Sequence, residues 1–400
     1  MTDRAYSASW LTARRLRAHG LIVGIALWSI YLWTVATPGL RDRNGNLKGT
    51  DFLHFYTLGL VAREHRALEL YDMKAQSQLA STRVPQAAGI EYLPLYPPQV
   101  SMLFAPFAPF SYASALAIWW IASATIYSLC CYWIWRACPG LQAHGVTIAI
   151  LAAAFPAFFH LIAWGQTSAL ALLCFTAMYM CLRGQRDFLA GVILGCLAFK
   201  PQLGLAAAII FLGIGAWRVV IGAALSATAQ FLAGILFYGT QAFHEWLWMM
   251  RNVRAALPLL EPRIYQTHSL RTFWSMLIPW PTLSFAVYLI TALSVLAMTI
   301  SLWRHRSASL NVRFSALVFA TVLIAPHLTV YDLVILAPAL LLLSDWLMTI
   351  APRRAPQIGT ALYCVYIFPI LGPLAKWTHV QLSVIAMSTL VFLLWRREAD

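Results

Sequence analysis

The sequence predicts an all-α polytopic membrane protein with about a dozen transmembrane helices, between 10 and 13 of them, and three observations predict it. Hydrophobic residues make up 61% of the chain and charged residues only 10%, with a mean hydropathy of +0.70. Soluble proteins are roughly half apolar and a quarter charged, and a soluble core of this length cannot hide the excess. Apolar stretches of about 15 to 24 residues recur from end to end, close to the roughly 20 residues that cross a hydrocarbon core. Cations punctuate these stretches at every second connection, as the positive-inside rule requires.

In order, the expected spans are residues 20–36, 112–136, 146–163, 167–182, 187–199, 202–215, 218–238, 281–303, 313–325, 331–349, 357–373 and 378–395. The first follows Arg14, Arg15 and Arg17, with no small-residue cleavage signature after it, and reads as an uncleaved span. With residues 1–19 in the cytoplasm, Arg136, Arg183 with Arg186, Arg218, Arg304 with Arg306 and Arg313, Arg353 with Arg354, and Arg396 with Arg397 all fall at cytoplasmic turns. The tail 396–400 is then also inside. The chain 1–400 reads as a single domain, multi-pass in the plasma membrane, expected to be a bacterial inner membrane. Several spans are short, so tilt or partial insertion is expected.

Two long external segments remain, 38–111 and 240–281. In the first, Phe52–Leu70 can form a juxtamembrane helix and Met73–Thr82 a second. Pro97–Phe110 is apolar but too short to span, which suggests a re-entrant or interfacial element. The net charge of +14 is dispersed between apolar segments rather than clustered, so no nucleic-acid partner is expected. The seven cysteines form no CxxC pair and read as small apolar fillers. No Walker loop occurs, and Gly213-Ile-Gly215 lacks the third glycine of a dinucleotide fingerprint. Gly191 and Gly195 have the spacing of a close helix contact. Neither a metal site nor a cofactor is expected.

The informative residues are the polar ones placed where they cost most. Asp51 opens Asp51-Phe-Leu-His54-Phe-Tyr56 just outside the first span, and reads either as a helix cap or as a general base whose pKa is raised in a partly desolvated cleft. Lys200, in Phe199-Lys200-Pro201-Gln202, either snorkels to the interface or clamps an anion such as a lipid phosphate. Gln166 sits in the tight turn Trp164-Gly165-Gln166-Thr167. In Pro326-His327-Leu-Thr329-Val-Tyr331-Asp332, His327 and Tyr331 would stand one helical turn apart with Asp332 beside them. That group reads as an interfacial hydrogen-bond set, or as a cleft wall in which His327 meets phosphate or sugar. In the second external segment His244, Arg251, Arg254, Arg263, His268 and Arg271 make a basic edge interleaved with Trp246 and Trp248, each reading as a membrane-surface anchor or a ligand contact.

These motifs, taken together, resemble glycosyltransferase family 87. Asp51 through Gly59, Leu70-Tyr71-Asp72, Tyr96-Pro97-Pro98 and Leu103 through Ala108 look like its N-terminal signature. Gly165-Gln166, Phe199 through Gln202 and Pro326 through Asp332 follow in the expected order. The resemblance implies a polytopic C-type glycosyltransferase using a polyprenyl-phosphate sugar as co-substrate, with mannose the expected hexose and transfer inverting. It implies Asp51 as general base, with Lys200, His327, Gln166, Gln202, Tyr331 and Asp332 around the donor phosphate and sugar. His54, Tyr56, Tyr96, His268 and Arg271 are further contacts to donor or acceptor. The partners are membrane lipids, the donor, and a lipid or glycan acceptor that no motif specifies. A transporter or flippase of lipid-linked sugars, or a non-catalytic scaffold, would share the topology, but a transporter's polar sites belong near the midplane rather than at one boundary.

Overall fold

In the computed structural model, residues 10–253, 255, 260, 261, 263–305, 307–348 and 355–399 are described. Arg254, Arg306, Arg353 and Arg354, expected at turns or on the basic edge, lie outside them. Among the described residues no strand forms, and the only β pairings are isolated bridges, Arg41 with Leu47 and Thr267 with Thr329.

The helices are α1 (Ala13–Val35), α2 (Thr50–Arg63), α3 (Met73–Arg83), α4 (Gln99–Phe104), α5 (Tyr112–Arg136), α6 (Gly145–Ala153), α7 (Pro156–Trp164), α8 (Ser168–Arg183) and α9 (Asp187–Gly195). They continue with α10 (Pro201–Gly213), α11 (Trp217–Tyr238), α12 (Thr240–Asn252), α13 (Leu270–Leu277), α14 (Pro281–Arg304), α15 (Leu310–Ile324), α16 (Ala337–Leu347), α17 (Ala355–Ile367) and α18 (Leu382–Ala399). Their starts follow local chemistry. Thr12, Asp72, Ser111 and Ser309 cap α1, α3, α5 and α15 through their side-chain oxygens. Pro156, Pro201 and Pro281 occupy first-turn positions, where the missing N–H costs nothing.

Helix occupies each of the twelve apolar segments, but among the described residues six candidate spans are long and apolar enough to cross a membrane, or seven with one bent pair. The expected span 146–163 is that pair: Pro156 forces Phe155 into an extended conformation, and the chain bends by 46° between Ala153 and Pro156. α8, α15, and the segments 187–199 and 201–213 are shorter apolar helices. The helix expected over Phe52–Leu70 stops at Arg63, because His65 adopts a left-handed conformation, and a 3-10 turn Ala67–Glu69 follows. Pro97–Phe110 forms only α4 and the 3-10 turn Ala105–Phe107.

α1 leaves most of its surface exposed, as suits a helix solvated by lipid, whereas α15 and the stretch Val330–Leu347 make the centre of the bundle. α2 is no surface helix either, since every residue from Phe52 to Ala62 is buried. Gly191 and Gly195 serve packing. A Cβ on either would fall 2.1 Å from the Val219 carbonyl oxygen or 2.4 Å from that of Ala223, and one on Gly222 would fall 2.3 Å from that of Phe188. α9 and α11 therefore touch backbone to backbone, the main source of helix attraction where lipid and side chains are equally apolar. Gly222→Leu should cost about 1–3 kcal/mol or more by overpacking. Melting of the purified protein in detergent checks this, with Leu236→Ala, at a side chain 86% exposed, expected to change it little.

Candidate active site

Four chain breaks meet at one end of the bundle. α2 begins at Thr50, α7 ends at Gly165 with α8 starting at Ser168, the segment after α9 ends at Lys200 with α10 following, and α15 gives way to a 3-10 helix, Val330–Leu336. Each break frees backbone groups and brings polar side chains inward. Gly165, with φ +70°, turns the chain so tightly that a Cβ there would meet the Cβ of Phe52 at 2.7 Å. Trp119 secures this turn by donating its indole N–H to the Gly165 carbonyl at 3.0 Å.

The turn delivers Gln166 to Asp51: the amide Nε2 donates to the carboxylate Oδ2 at 2.7 Å. Burial raises the Asp51 pKa to about 6. The Gln166 hydrogen bond and the Lys200 charge offset part of that rise, and the Asp332 charge adds to it. Asp51 makes no cap to its helix, whose N-cap is Gly49, so capping does not explain it.

Behind Asp51 lies an ion pair. The Lys200 ammonium donates to the Asp332 carboxylate at 2.9 Å and to the Ser168 hydroxyl at 3.1 Å, and Ser168 donates in turn to the same carboxylate oxygen. Both charged side chains are only 4% exposed. The other Asp332 oxygen accepts from the Thr329 N–H and hydroxyl in a capping box. The Tyr331 ring lies 5.3 Å from the ammonium, a favourable position for a cation over a π face. Lys200 thus faces the interior and a carboxylate, and does not snorkel.

The helix expected to carry both His327 and Tyr331 starts only at Val330, because Thr329 and Asp332 cap it there. His327 lies in the preceding extended stretch. Its Nδ1 contacts Glu261 at 2.8 Å, and the same Glu261 oxygen accepts from Arg271, whose Nε also donates to the Pro326 carbonyl. Burial pushes the Glu261 carboxyl up, but the His327 hydrogen bond and the Arg271 charge outweigh it and hold the group below its ordinary range. The Thr267–Thr329 bridge and the bond from His268 N–H to the Leu328 carbonyl fasten this loop against the cleft wall.

The other expected residues divide. Tyr96 is half-buried, within electrostatic range of Lys200, Asp332 and Asp51. Its ring lies 5.7 Å from that of His54, which is 5.2 Å from Tyr92. His54 is buried with both ring nitrogens unpartnered, and burial lowers its pKa to about 4. Tyr56 is instead a packing residue, donating to the Phe110 carbonyl at 2.8 Å. His268 points into the bundle, with Nδ1 at 2.6 Å from the Ser383 hydroxyl. Burial, with His160 nearby, lowers its pKa to about 3. Gln202 is half-buried and, among the described residues, has no hydrogen bond to the cluster. Nor do the described residues place three His, Cys, Asp or Glu side chains together where they could hold a metal ion.

A family model for glycosyltransferase family 87 matches residues 95–326, more than half of the chain. The chain belongs to glycosyltransferase family 87. No curated protein and no solved structure matches it. The matched stretch includes Tyr96, Gln166, Lys200, Glu261 and Arg271, while Asp51 and Asp332 join the site through their bonds to Gln166 and Lys200.

Sequence reasoning passes over Ser168 and Glu261. Ser168 is one hydroxyl among many in a helix start, and Glu261 lies in a segment without a recognisable signature. Only its rarity, as one of 14 acids, marks it. Lys200→Met would leave Asp332 buried without its counter-charge, at a cost of about 3–5 kcal/mol. Lys200→Met combined with Asp332→Leu should recover most of that, as read from thermal unfolding in detergent.

Proposed function

We propose that this glycosyltransferase moves a hexose, mannose being the expected one, from a polyprenyl-phosphate donor to a hydroxyl of a lipid or glycan acceptor, with inversion at the anomeric carbon. The observation that carries the reading is the Asp51 carboxylate: desolvated, oriented through Oδ2 by Gln166, and within electrostatic range of Lys200. The reaction takes place at the external face of the plasma membrane, with the short helices joining into broken spans that bring the count to about twelve.

In this reading the acceptor hydroxyl is a poor nucleophile, so Asp51 takes its proton as the oxygen attacks the anomeric carbon. The new carbon–oxygen bond forms as the bond to the donor phosphate breaks, and that electron pair leaves on the phosphate. The lipid phosphate needs no protonating acid, only compensating charge. Lys200 supports this with its ammonium, and Arg271 and His327 with an anion-binding pair that already holds a carboxylate, Glu261. A donor phosphate entering there would replace Glu261 as their partner. One carboxylate suffices for a single displacement, in contrast to the paired carboxylates of glycosidases.

Asp51→Asn should lower the rate of sugar transfer by roughly 100- to 10,000-fold, with retention of donor binding, in an assay of purified protein with radiolabelled polyprenyl-phosphate sugars and identification of the product. Wild-type rate in that variant would remove Asp51 as the base.

A base must be deprotonated to act, and the Asp51 carboxylate is its active form. With its pKa raised to about 6, kcat/KM should fall about tenfold per pH unit below that value and level off above it. Gln166→Leu removes a hydrogen bond that favours the charged form, so the acid limb should move to higher pH. A purely structural loss would lower the whole profile without shifting it.

A further inference from the structure

A cavity of about 510 Å³ lies at the opposite end of the bundle from Asp51. Its walls come from the start of α1, the second half of α5, α6, α16 and α17. α16 leads away from the Asp332 segment, and the cavity follows it from Ala337 to Met348, about 16 Å at the helical rise. That is about the depth of one leaflet of a hydrocarbon core roughly 30 Å thick. The deep wall is apolar, with Leu340, Leu341, Phe155 and Leu362, whereas Thr12, His144, Thr147 and Ser344 also contribute to the lining.

Charge is distributed unevenly around it. Among the described residues no carboxylate lines the cavity. The first turns of α1, which form one side of it, carry Arg14, Arg15 and Arg17, all exposed. The Arg17 Nε donates to the hydroxyl of Thr147 at 2.6 Å, so its guanidinium is held against a lining residue with its terminal nitrogens left for another acceptor. Arg15 is braced by a bond to the Trp10 carbonyl at 3.0 Å. An apolar slot one leaflet deep beside a cationic edge is complementary to a single class of molecule, an anionic lipid with its tail inside and its phosphate among the arginines.

We infer that this cavity is a binding site for an anionic phospholipid, with one acyl chain between α1, α16 and α17 and the headgroup phosphate held by Arg14, Arg17 and His144. The lipid is a structural ligand, separate from donor and acceptor, because none of Asp51, Lys200 and Asp332 lines the cavity. It completes the contact of α1, most of whose surface is exposed, with the bundle.

The test is native mass spectrometry of the full chain in detergent after exchange against an equimolar mixture of phosphatidylglycerol and phosphatidylcholine, with undecaprenyl phosphate added in a separate arm. One phosphatidylglycerol per chain should be retained, with roughly tenfold preference over phosphatidylcholine. Leu340→Trp should abolish retention by filling the slot, and Arg14→Gln with Arg17→Gln should bring the preference close to equality while leaving the melting curve cooperative. Equal retention of both phospholipids by the wild type, no retained lipid, or replacement of phosphatidylglycerol by undecaprenyl phosphate would each overturn the proposal. Should Leu340→Trp fail to fold, the arginine pair decides alone: an unchanged preference refutes the site. Sugar transfer is not read in this experiment, so its outcome is independent of the role of Asp51.

Discussion

The pairing of Lys200 with Asp332 is the constraint on which the rest of the site depends. A single buried charge in a bundle surrounded by lipid is costly, and even a buried pair seldom does more than break even against apolar packing. Here the pair gains support from Ser168, from the Thr329 capping box and from the face of Tyr331. Its three polar members stand at the start of α8, at the break before α10 and in the 3-10 helix that follows α15. Three chain interruptions are therefore locked to one another by these bonds, and the register of the helices that carry them is set accordingly.

That lock explains how a chain so apolar can hold a desolvated carboxylate beside it. Interrupted helices at membrane depth persist only where freed backbone groups and side chains are satisfied by protein. Lys200 and Asp332 nearly neutralise each other, so Asp51 feels burial more than attraction, and its pKa rises instead of falling. A free lysine there would have depressed it. The ion pair thus does two things at once: it joins the broken helices, and it leaves the neighbouring carboxylate basic enough to accept a proton.

Much of this was legible in the residues. Among the described residues each expected span holds helix, and Asp51, Gln166, Lys200, Tyr331 and Asp332 stand out in the sequence alone, because a rare polar residue beside a helix breaker carries its cost in plain view. What could not be read was partnership. Gln166 reads from the sequence only as part of a tight turn, and it is the left-handed Gly165 that aims it at a residue 115 positions away. Lys200 gave no sign of choosing Asp332 over the interface. The helix boundary before Tyr331 was a different kind of miss, since Thr329-Val-Tyr-Asp332 has the spacing of a capping box and a local reading could have started the helix at Val330. The contacts of Tyr56 with the Phe110 carbonyl and of His268 with the Ser383 hydroxyl could not be read either, because aromatic and imidazole side chains are amphipathic and only tertiary packing decides what the polar end meets.

Glu261 shows what such a site requires from outside its own motifs. This carboxylate, only 5% exposed, touches both Arg271 and His327. The loop that carries it is tied down by the Thr267–Thr329 bridge and by Gln381, whose amide reaches the Tyr265 and Thr267 carbonyls. An anion is therefore already a structural component of this loop, and an arginine that holds a carboxylate has the geometry to hold a phosphate as well. The segment with no signature of its own supplies the stand-in, so the charge balance of the rim is maintained whether or not a substrate is present.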